Sequence, residues 1–260
     1  MTLAGFEETR FAFEGAERAV YRRGKGPAVV VIHEIPGIIP EVASFAARVA
    51  DAGFSVYAPS LFGEPGRPFS TGYVLGQVAR ACVSREFAVL ARRESSPVTV
   101  WLRALARHAF AEVGVGKGVG AIGMCLTGNF ALAMTMDDAM LAPVLCQPSL
   151  PFPVLPGATA ALHVSDAELE NLRRRSRAGL RVLGLRFTED PVCRAERFET
   201  LRREIGDAFE AVEIDSSRGN SFGIPRRAHS VVTRDLVDEP GHPTRAALDR
   251  VIAFFQERLV

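Results

Sequence analysis

The chain has 260 residues, of which 48% are hydrophobic, and its 31 basic and 30 acidic residues leave a formal net charge of +1. This length and composition are sufficient for the buried core of one α/β domain, and we expect residues 1–260 to form a single domain. The balanced charge argues against nucleic acid or an anionic membrane as the partner and favours a small molecule.

The sequence contains no segment that suggests export or membrane insertion. Its first residues lack a basic stretch followed by an apolar one, and no run approaches the roughly 18 to 20 apolar residues of a membrane-spanning helix. We therefore expect a cytoplasmic protein, as a monomer or a homodimer. Its four cysteines are scattered, without the CxxC pairs of zinc or dithiol redox sites. Reduced thiols, no metal and no cofactor are expected.

Short apolar runs alternate with longer segments of helical period, which is typical of a mostly parallel sheet of about eight strands with helices on both faces. The predicted strands are 10–14, 19–22, 28–33, 55–58, 119–123, 142–146, 181–187 and 211–214. The predicted helices are 41–52, 77–91, 97–110, 126–136, 166–177, 193–205 and 244–259. Because only a short turn separates the first two strands, we expect them to form an antiparallel hairpin at one edge.

The most informative segment covers residues 119–133, where an apolar strand, a tight Gly-X-Cys turn and an apolar helix follow one another. This order is typical of a nucleophile elbow, in which small residues flank a nucleophile on a strained turn. It predicts Cys125 as the nucleophile, with the N–H of Leu126 as one oxyanion donor. The N-terminus of the helix would favour a thiolate. The alternative is that Cys125 is simply a small buried residue. Thr127 occupies a position that is usually glycine in such elbows.

In this fold class, the acid and the base of a triad follow the nucleophile in sequence. Asp190 lies after the predicted strand 181–187 and is the favoured acid, with Glu189 as its competitor. His229 is favoured as the base over His242, which stands beside a proline at a predicted helix start.

The strand 28–33 runs into a turn that contains a second candidate donor. The N–H of Ile35 is the natural choice because Pro36 has no N–H. Glu34 follows an apolar strand, so it lies either at the solvated end of that strand or in the pocket.

Four motifs in this order resemble those of the dienelactone hydrolase family. They are HEIPG at 33–37, GMCLTG at 123–128, TEDPV at 188–192 and AHS at 228–230. The resemblance covers essentially the whole chain and implies an α/β-hydrolase fold with a triad of Cys125, Asp190 and His229. It also implies that Glu34 takes the proton of the resting thiol and releases it when substrate binds.

The resemblance implies a carboxylic ester hydrolase of the carboxymethylenebutenolidase type, which opens an enol-lactone while arginines bind the substrate carboxylate. Arg85 and Ser230 are candidate substrate-binding residues, whereas Arg234 does not occupy the matching position. The segment 150–181 is longer than in the family core. A protein that binds a small molecule without hydrolysing it is the alternative, motivated by Thr127 and the unmatched arginine.

Overall fold

Eight strands form one sheet in the computed structural model, which describes residues 3–83, 96–150 and 157–260, without the side chains of 78–83. The strands are β1 (Glu7–Phe13), β2 (Ala16–Arg23), β3 (Ala28–Ile32), β4 (Ser55–Pro59), β5 (Val119–Met124), β6 (Met140–Cys146), β7 (Val182–Phe187) and β8 (Phe209–Ile214). Their order in the sheet is β1-β2-β4-β3-β5-β6-β7-β8. The pairs β1–β2 and β2–β4 are antiparallel and the other pairs are parallel, which confirms the predicted mostly parallel sheet and its edge hairpin.

Helices cover both faces of this sheet. They are α1 (Pro40–Asp51), α2 (Thr71–Val83), α3 (Pro97–Val113), α4 (Phe130–Ala133), α5 (Asp166–Arg177), α6 (Ala195–Ile205) and α7 (Pro243–Leu259). Helices α1 and α7 bury Phe45 and Phe254 against one face, whereas α3 buries Trp101 against the other. Among the described helices, none is long and apolar enough to cross a membrane. The sheet therefore has buried apolar side chains packed against both of its faces.

The predicted helix over 126–136 is wrong in form, because the segment contains two 3₁₀ turns (Cys125–Thr127 and Met134–Met136) on either side of the single α-helical turn α4. Side-chain hydrogen bonds compete with helical ones here. The Asn129 amide donates to Leu150 O at 2.7 Å, and the Thr135 hydroxyl donates to Leu132 O at 2.6 Å. The predicted helix 77–91 begins earlier, at Thr71, and its residues 84–91 lie outside the described ranges.

Helix α5 belongs to the long segment between β6 and β7, and two features fix it. Ser165 caps its first turn in a reciprocal pair with Glu168. At its other end, the buried Arg175 guanidinium donates hydrogen bonds of 2.7 to 3.1 Å to the carbonyl oxygens of Thr135, Asp137, Asp138 and Met140. One side chain thereby joins α5 to the turn before β6.

We expect Arg175→Met to lower the free energy of unfolding by about 3 kcal/mol, because several buried carbonyl groups lose their donor. Urea denaturation measures this change. The matched control is Arg174→Met, since Arg174 is exposed and, among the described residues, its side chain bonds to Asn171 on the same helix. Equal stability of the two variants would contradict the role given to Arg175.

Candidate active site

The predicted site residues meet at the carboxyl edge of the sheet. Glu34 follows β3, Cys125 follows β5 and Asp190 follows β7, while His229 lies on the long connection from β8 to α7. In open α/β sheets, ligands bind in the crevice at this edge. The topology therefore brings four segments that are distant in sequence to one place.

The turn at Cys125 has the strained geometry expected of an elbow. Cys125 has a φ of 54°, a left-handed conformation that residues with a side chain rarely adopt. A Cβ at Gly123 would overlap the Thr127 carbonyl, and a Cβ at Gly128 would overlap Pro148. Cys125 itself is partly exposed, unlike the buried Cys146. The strained backbone and the partial exposure of Cys125 argue against a purely space-filling role for this residue.

Thr127, the departure from the usual elbow glycine, supports the turn. Its buried hydroxyl accepts a hydrogen bond from the Met124 N–H at 3.0 Å. The same oxygen lies 3.1 Å from the carbonyl oxygens of Ile32 and His33, to which it can donate. The threonine thus links the end of β5 to the end of β3.

The two predicted oxyanion donors belong to residues whose side chains pack beside Cys125. The side chains of Ile35 and Leu126 pack together, with Cys125 against them. The Leu126 N–H is in the first turn of a 3₁₀ helix, where N–H groups have no partner within the helix. The Ile35 N–H donates no backbone hydrogen bond within the described residues. Both groups therefore remain available to an oxyanion.

Asp190 and His229 form a close pair. Asp190 Oδ2 lies 2.6 Å from His229 Nδ1, and its Oδ1 accepts hydrogen bonds from the N–H groups of Val192 and Cys193. The competing acid, Glu189, instead pairs with Arg226 at 2.9 Å.

His242, the competing candidate for the base, has a structural role instead. His242 is the N-cap of α7, and its Nδ1 accepts a hydrogen bond from the Thr244 N–H at 3.3 Å. Of the two late histidines, His229 is therefore the one that contacts a candidate acid.

The charge state of His229 depends on its neighbours. Burial lowers the pKa of His229, but the nearby Cys125 sulfur and the hydrogen bond with Asp190 outweigh it and raise the pKa well above its ordinary value. An imidazolium is therefore favoured when the sulfur carries a negative charge. The same arrangement is suited to accepting a proton from the thiol.

Two residues that sequence reasoning missed fix this arrangement. Ser149 donates its N–H to Cys125 O at 2.9 Å, and its hydroxyl lies 3.5 Å from His229 Nε2. Asp235 Oδ2 accepts the N–H groups of His229 and Ser230 at 2.9 and 2.8 Å. In the sequence, Asp235 is distinguished only by being an acid six residues after His229. Nothing in the sequence around Ser149 indicates a contact with the site.

Glu34 lies inside the protein rather than at a solvated strand end. Its carboxylate accepts hydrogen bonds from Ser230 Oγ at 2.7 Å and from Thr233 Oγ1 at 2.5 Å. Burial raises the pKa of Glu34, and the two hydrogen bonds and the charges of His229 and Arg234 oppose that rise. Thr233 was not predicted from the sequence.

The candidate arginines differ in what the structure says of them. Arg85 lies outside the described residues. Arg234 is exposed, and its guanidinium stacks 3.4 Å from the ring centroid of Phe69. Ser230, the other candidate for substrate binding, is buried and donates to Glu34. Binding of a substrate carboxylate by these residues remains a prediction.

The other described thiols lie in very different surroundings. Burial raises the pKa of Cys146 well above its ordinary value, and burial together with the charge of Asp190 raises the pKa of Cys193. Because thiolates are the reactive form, both cysteines should react slowly.

His33 makes the stability of this edge dependent on pH. Its Nδ1–H donates to Glu34 O and its Nε2 accepts the Leu61 N–H, so the buried ring is neutral. Burial lowers the pKa of His33 to about 4. Because the unfolded state binds a proton that the folded state does not, stability falls as the pH drops from about 6.5 towards 4.

We expect His33→Asn to remove about 2 kcal/mol of the stability difference between pH 7 and pH 5, since asparagine does not titrate. Urea denaturation of both proteins at both pH values gives this double difference, from which a general effect of the substitution cancels. Identical pH dependence in the two proteins would contradict the neutral state of His33.

Gly123→Ala should disrupt the turn, because the added methyl group meets backbone that cannot easily move. We expect a loss of about 1 to 3 kcal/mol of stability and slower alkylation of Cys125. The control is Gly76→Ala, at an exposed position of α2 where an added Cβ meets nothing within 4 Å. Wild-type alkylation in Gly123→Ala would show that the turn does not set the position of the sulfur.

Known proteins with a similar fold cover nearly the whole chain. A Klebsiella pneumoniae protein provisionally named a dienelactone hydrolase is 19% identical, with a TM-score of 0.63 over 97% of this chain and 98% of that chain. P91, a dienelactone hydrolase-like promiscuous phosphotriesterase from metagenomic libraries, is 17% identical, with a TM-score of 0.60 over 98% of each chain. A cold-adapted esterase from an Arctic intertidal metagenomic library is 14% identical, with a TM-score of 0.62 over 100% of this chain and 97% of that chain.

At these identities, the likeness shows a shared α/β-hydrolase fold. No curated protein sequence matches the chain significantly. The model of the dienelactone hydrolase family matches residues 16–259, and this match together with the esterase neighbours supports a hydrolase. The chain therefore belongs to the dienelactone hydrolase family, as its four motifs predict.

Proposed function

We propose that the protein hydrolyses an ester, a lactone or an enol-lactone through a cysteine nucleophile, with Cys125, His229 and Asp190 as its triad. The observation that carries this proposal is the convergence of three features at one strand edge. The partly exposed Cys125 has a left-handed backbone, His229 is close enough for the sulfur to raise its pKa, and Asp190 lies 2.6 Å from the other ring nitrogen.

In the first step, His229 takes the proton of Cys125, and the sulfur attacks the carbonyl carbon. The resulting oxyanion accepts hydrogen bonds from the N–H groups of Ile35 and Leu126. The tetrahedral intermediate collapses to a thioester as the bond to the leaving oxygen breaks, and His229 protonates that oxygen. Asp190 orients the imidazole and stabilises the imidazolium throughout.

In the second step, water releases the acyl group. His229 removes a proton from water, the hydroxide attacks the thioester, and the carboxylic acid leaves as the sulfur recovers its proton. Thiolates react well with activated esters and enol-lactones because their leaving groups depart easily. Amides are poorer substrates because their amine leaving groups depart less easily.

The surroundings of the sulfur favour an apolar acyl group or ring. Phe62, Val74 and Leu150 pack against the Ile35 and Leu126 side chains beside Cys125. A carboxylate on the substrate, as in a dienelactone, requires a cation, for which Arg85 is the candidate from the sequence. We therefore propose carboxymethylenebutenolidase-type specificity only as a narrower hypothesis, which requires such a cation in the site.

The test is hydrolysis of p-nitrophenyl acetate, a simple lactone and a dienelactone carrying a carboxylate. Cys125→Ala should lower turnover by at least about 10⁴-fold, since the loss of one triad member removes most of the rate. Cys146→Ala is the matched control, because Cys146 is a buried thiol with a raised pKa, and it should retain turnover.

Undiminished hydrolysis by Cys125→Ala would overturn the mechanism. The rate of thiol alkylation adds a reading that needs no substrate. Rapid labelling of Cys125 ahead of Cys146 and Cys193 supports an activated nucleophile. Absence of turnover with the whole panel, together with slow labelling of Cys125, would favour a protein that binds a small molecule without hydrolysing it.

A further inference from the structure

Glu34 joins two parts of the site that are almost 200 residues apart in sequence. On one side, its backbone is fixed at the end of β3, because Glu34 O accepts the His33 Nδ1–H at 2.9 Å and the Gly37 N–H at 2.9 Å. The next residue is Ile35, which carries a candidate oxyanion donor. Any movement of Glu34 would therefore move this donor.

On the other side, the Glu34 carboxylate binds residues 229–235, which we name the histidine loop. One oxygen accepts Ser230 Oγ–H and the other accepts Thr233 Oγ1–H. Glu34, Ser230 and Thr233 are all buried, with exposures of 2%, 3% and 6%. Water therefore competes little for these hydrogen bonds, and each one fixes the distance between the loop and β3.

The histidine loop also has an internal brace. Asp235 Oδ2 accepts the N–H groups of His229 and Ser230, and the Asp235 N–H donates to Ser230 O at 3.0 Å. The loop can therefore act as one body that carries the imidazole. Its link to Glu34 determines where this body lies relative to β3 and the sulfur.

The hydrogen bonds of the Glu34 carboxylate also bear on its role. Among the described residues, they come from Ser230 and Thr233, and none joins the carboxylate to Cys125. A carboxylate that stores the proton of the resting thiol would need to contact the sulfur. The observed contacts are those of a residue that fixes a loop.

We propose that Glu34 is a positioning residue, which uses the hydroxyl groups of Ser230 and Thr233 to fix the histidine loop against the end of β3. Through this link, one buried carboxylate sets both the base His229 and the oxyanion donor at Ile35. This inference rests on the proposed triad, and it gives Glu34 a role other than storing the thiol proton.

The experiment compares Glu34→Gln, Thr233→Val and the double variant. We expect each single variant to slow the alkylation of resting Cys125 by iodoacetamide, because His229 is no longer fixed beside the sulfur. A displacement of this kind reduces rates by about tenfold to a hundredfold. The double variant should be no slower than the slower single variant, since both changes break the same link. Thr233→Ser, which keeps the hydroxyl, should recover most of the loss.

The pH dependence of alkylation separates positioning from a general loss of structure. If the His229 imidazole moves away from the Cys125 sulfur, the midpoint of the pH profile of alkylation should shift in both single variants. Circular dichroism and the melting transition report separately on the fold. The matched controls are Thr200→Val, whose hydroxyl bonds to its own helix, and Glu168→Gln, a buried cap of α5. Both should leave the rate and its midpoint unchanged.

Faster alkylation of resting Cys125 in Glu34→Gln would overturn the inference, because it would mean that Glu34 normally keeps the thiol protonated. Wild-type rates in Thr233→Val would also overturn it. If Thr233→Val does not fold, Ser230→Ala tests the other hydrogen bond of the same carboxylate. Alkylation needs no turnover, so these results stand whether or not Cys125→Ala abolishes hydrolysis.

Discussion

The left-handed backbone at Cys125 is the constraint on which the rest of the site depends. A residue with a side chain adopts it only where the surrounding structure compensates for the strain. Here the compensation comes from Thr127, whose hydroxyl bonds to Met124 and lies against the end of β3. The parallel pairing that aligns Ile32 with Gly123 brings the two strand ends into the same register. The sulfur and the Ile35 N–H can therefore face the same crevice only while β3 and β5 remain paired.

The second constraint is electrostatic, because three carboxylates lie close to this crevice. A buried carboxylate without partners is strongly destabilising. Asp190 accepts two backbone N–H groups besides His229, Asp235 accepts two more, and Glu34 accepts two hydroxyl groups. Neutral local donors thus satisfy these groups, and the charges of His229 and Arg234 add to them at Glu34. The pKa of the imidazole is raised by the Cys125 sulfur and by Asp190 together.

The sequence was sufficient for the sheet but only for part of the site. Alternating apolar runs located all eight strands, and the hairpin at the edge followed from the short turn between β1 and β2. Asp190 and His229 could be predicted because the order of nucleophile, acid and base along the chain can be read directly from the sequence. Thr233 and Ser149 could not be predicted, since their contacts depend on how loops fold back over the sheet. The prediction of a helix over 126–136 was wrong because hydrophobic periodicity carries no information about the side-chain hydrogen bonds that interrupt the helix.

Buried arginines explain how the long segment between β6 and β7 can be accommodated without disturbing the acid loop. Arg186 donates to Thr188 O and Cys193 O, the two ends of the loop that carries Asp190. On the next helix, Arg197 donates to carbonyl oxygens of Pro148, Ala158 and Ala161, all within that long segment. A planar guanidinium with five donors suits this task, because it satisfies several carbonyl groups that regular structure leaves unpaired. Arg186 therefore braces the acid loop from β7, and Arg197 braces the segment beside Ser149 from α6. The hydrogen bonds that hold the acid loop are therefore separate from those that hold the described part of the long segment.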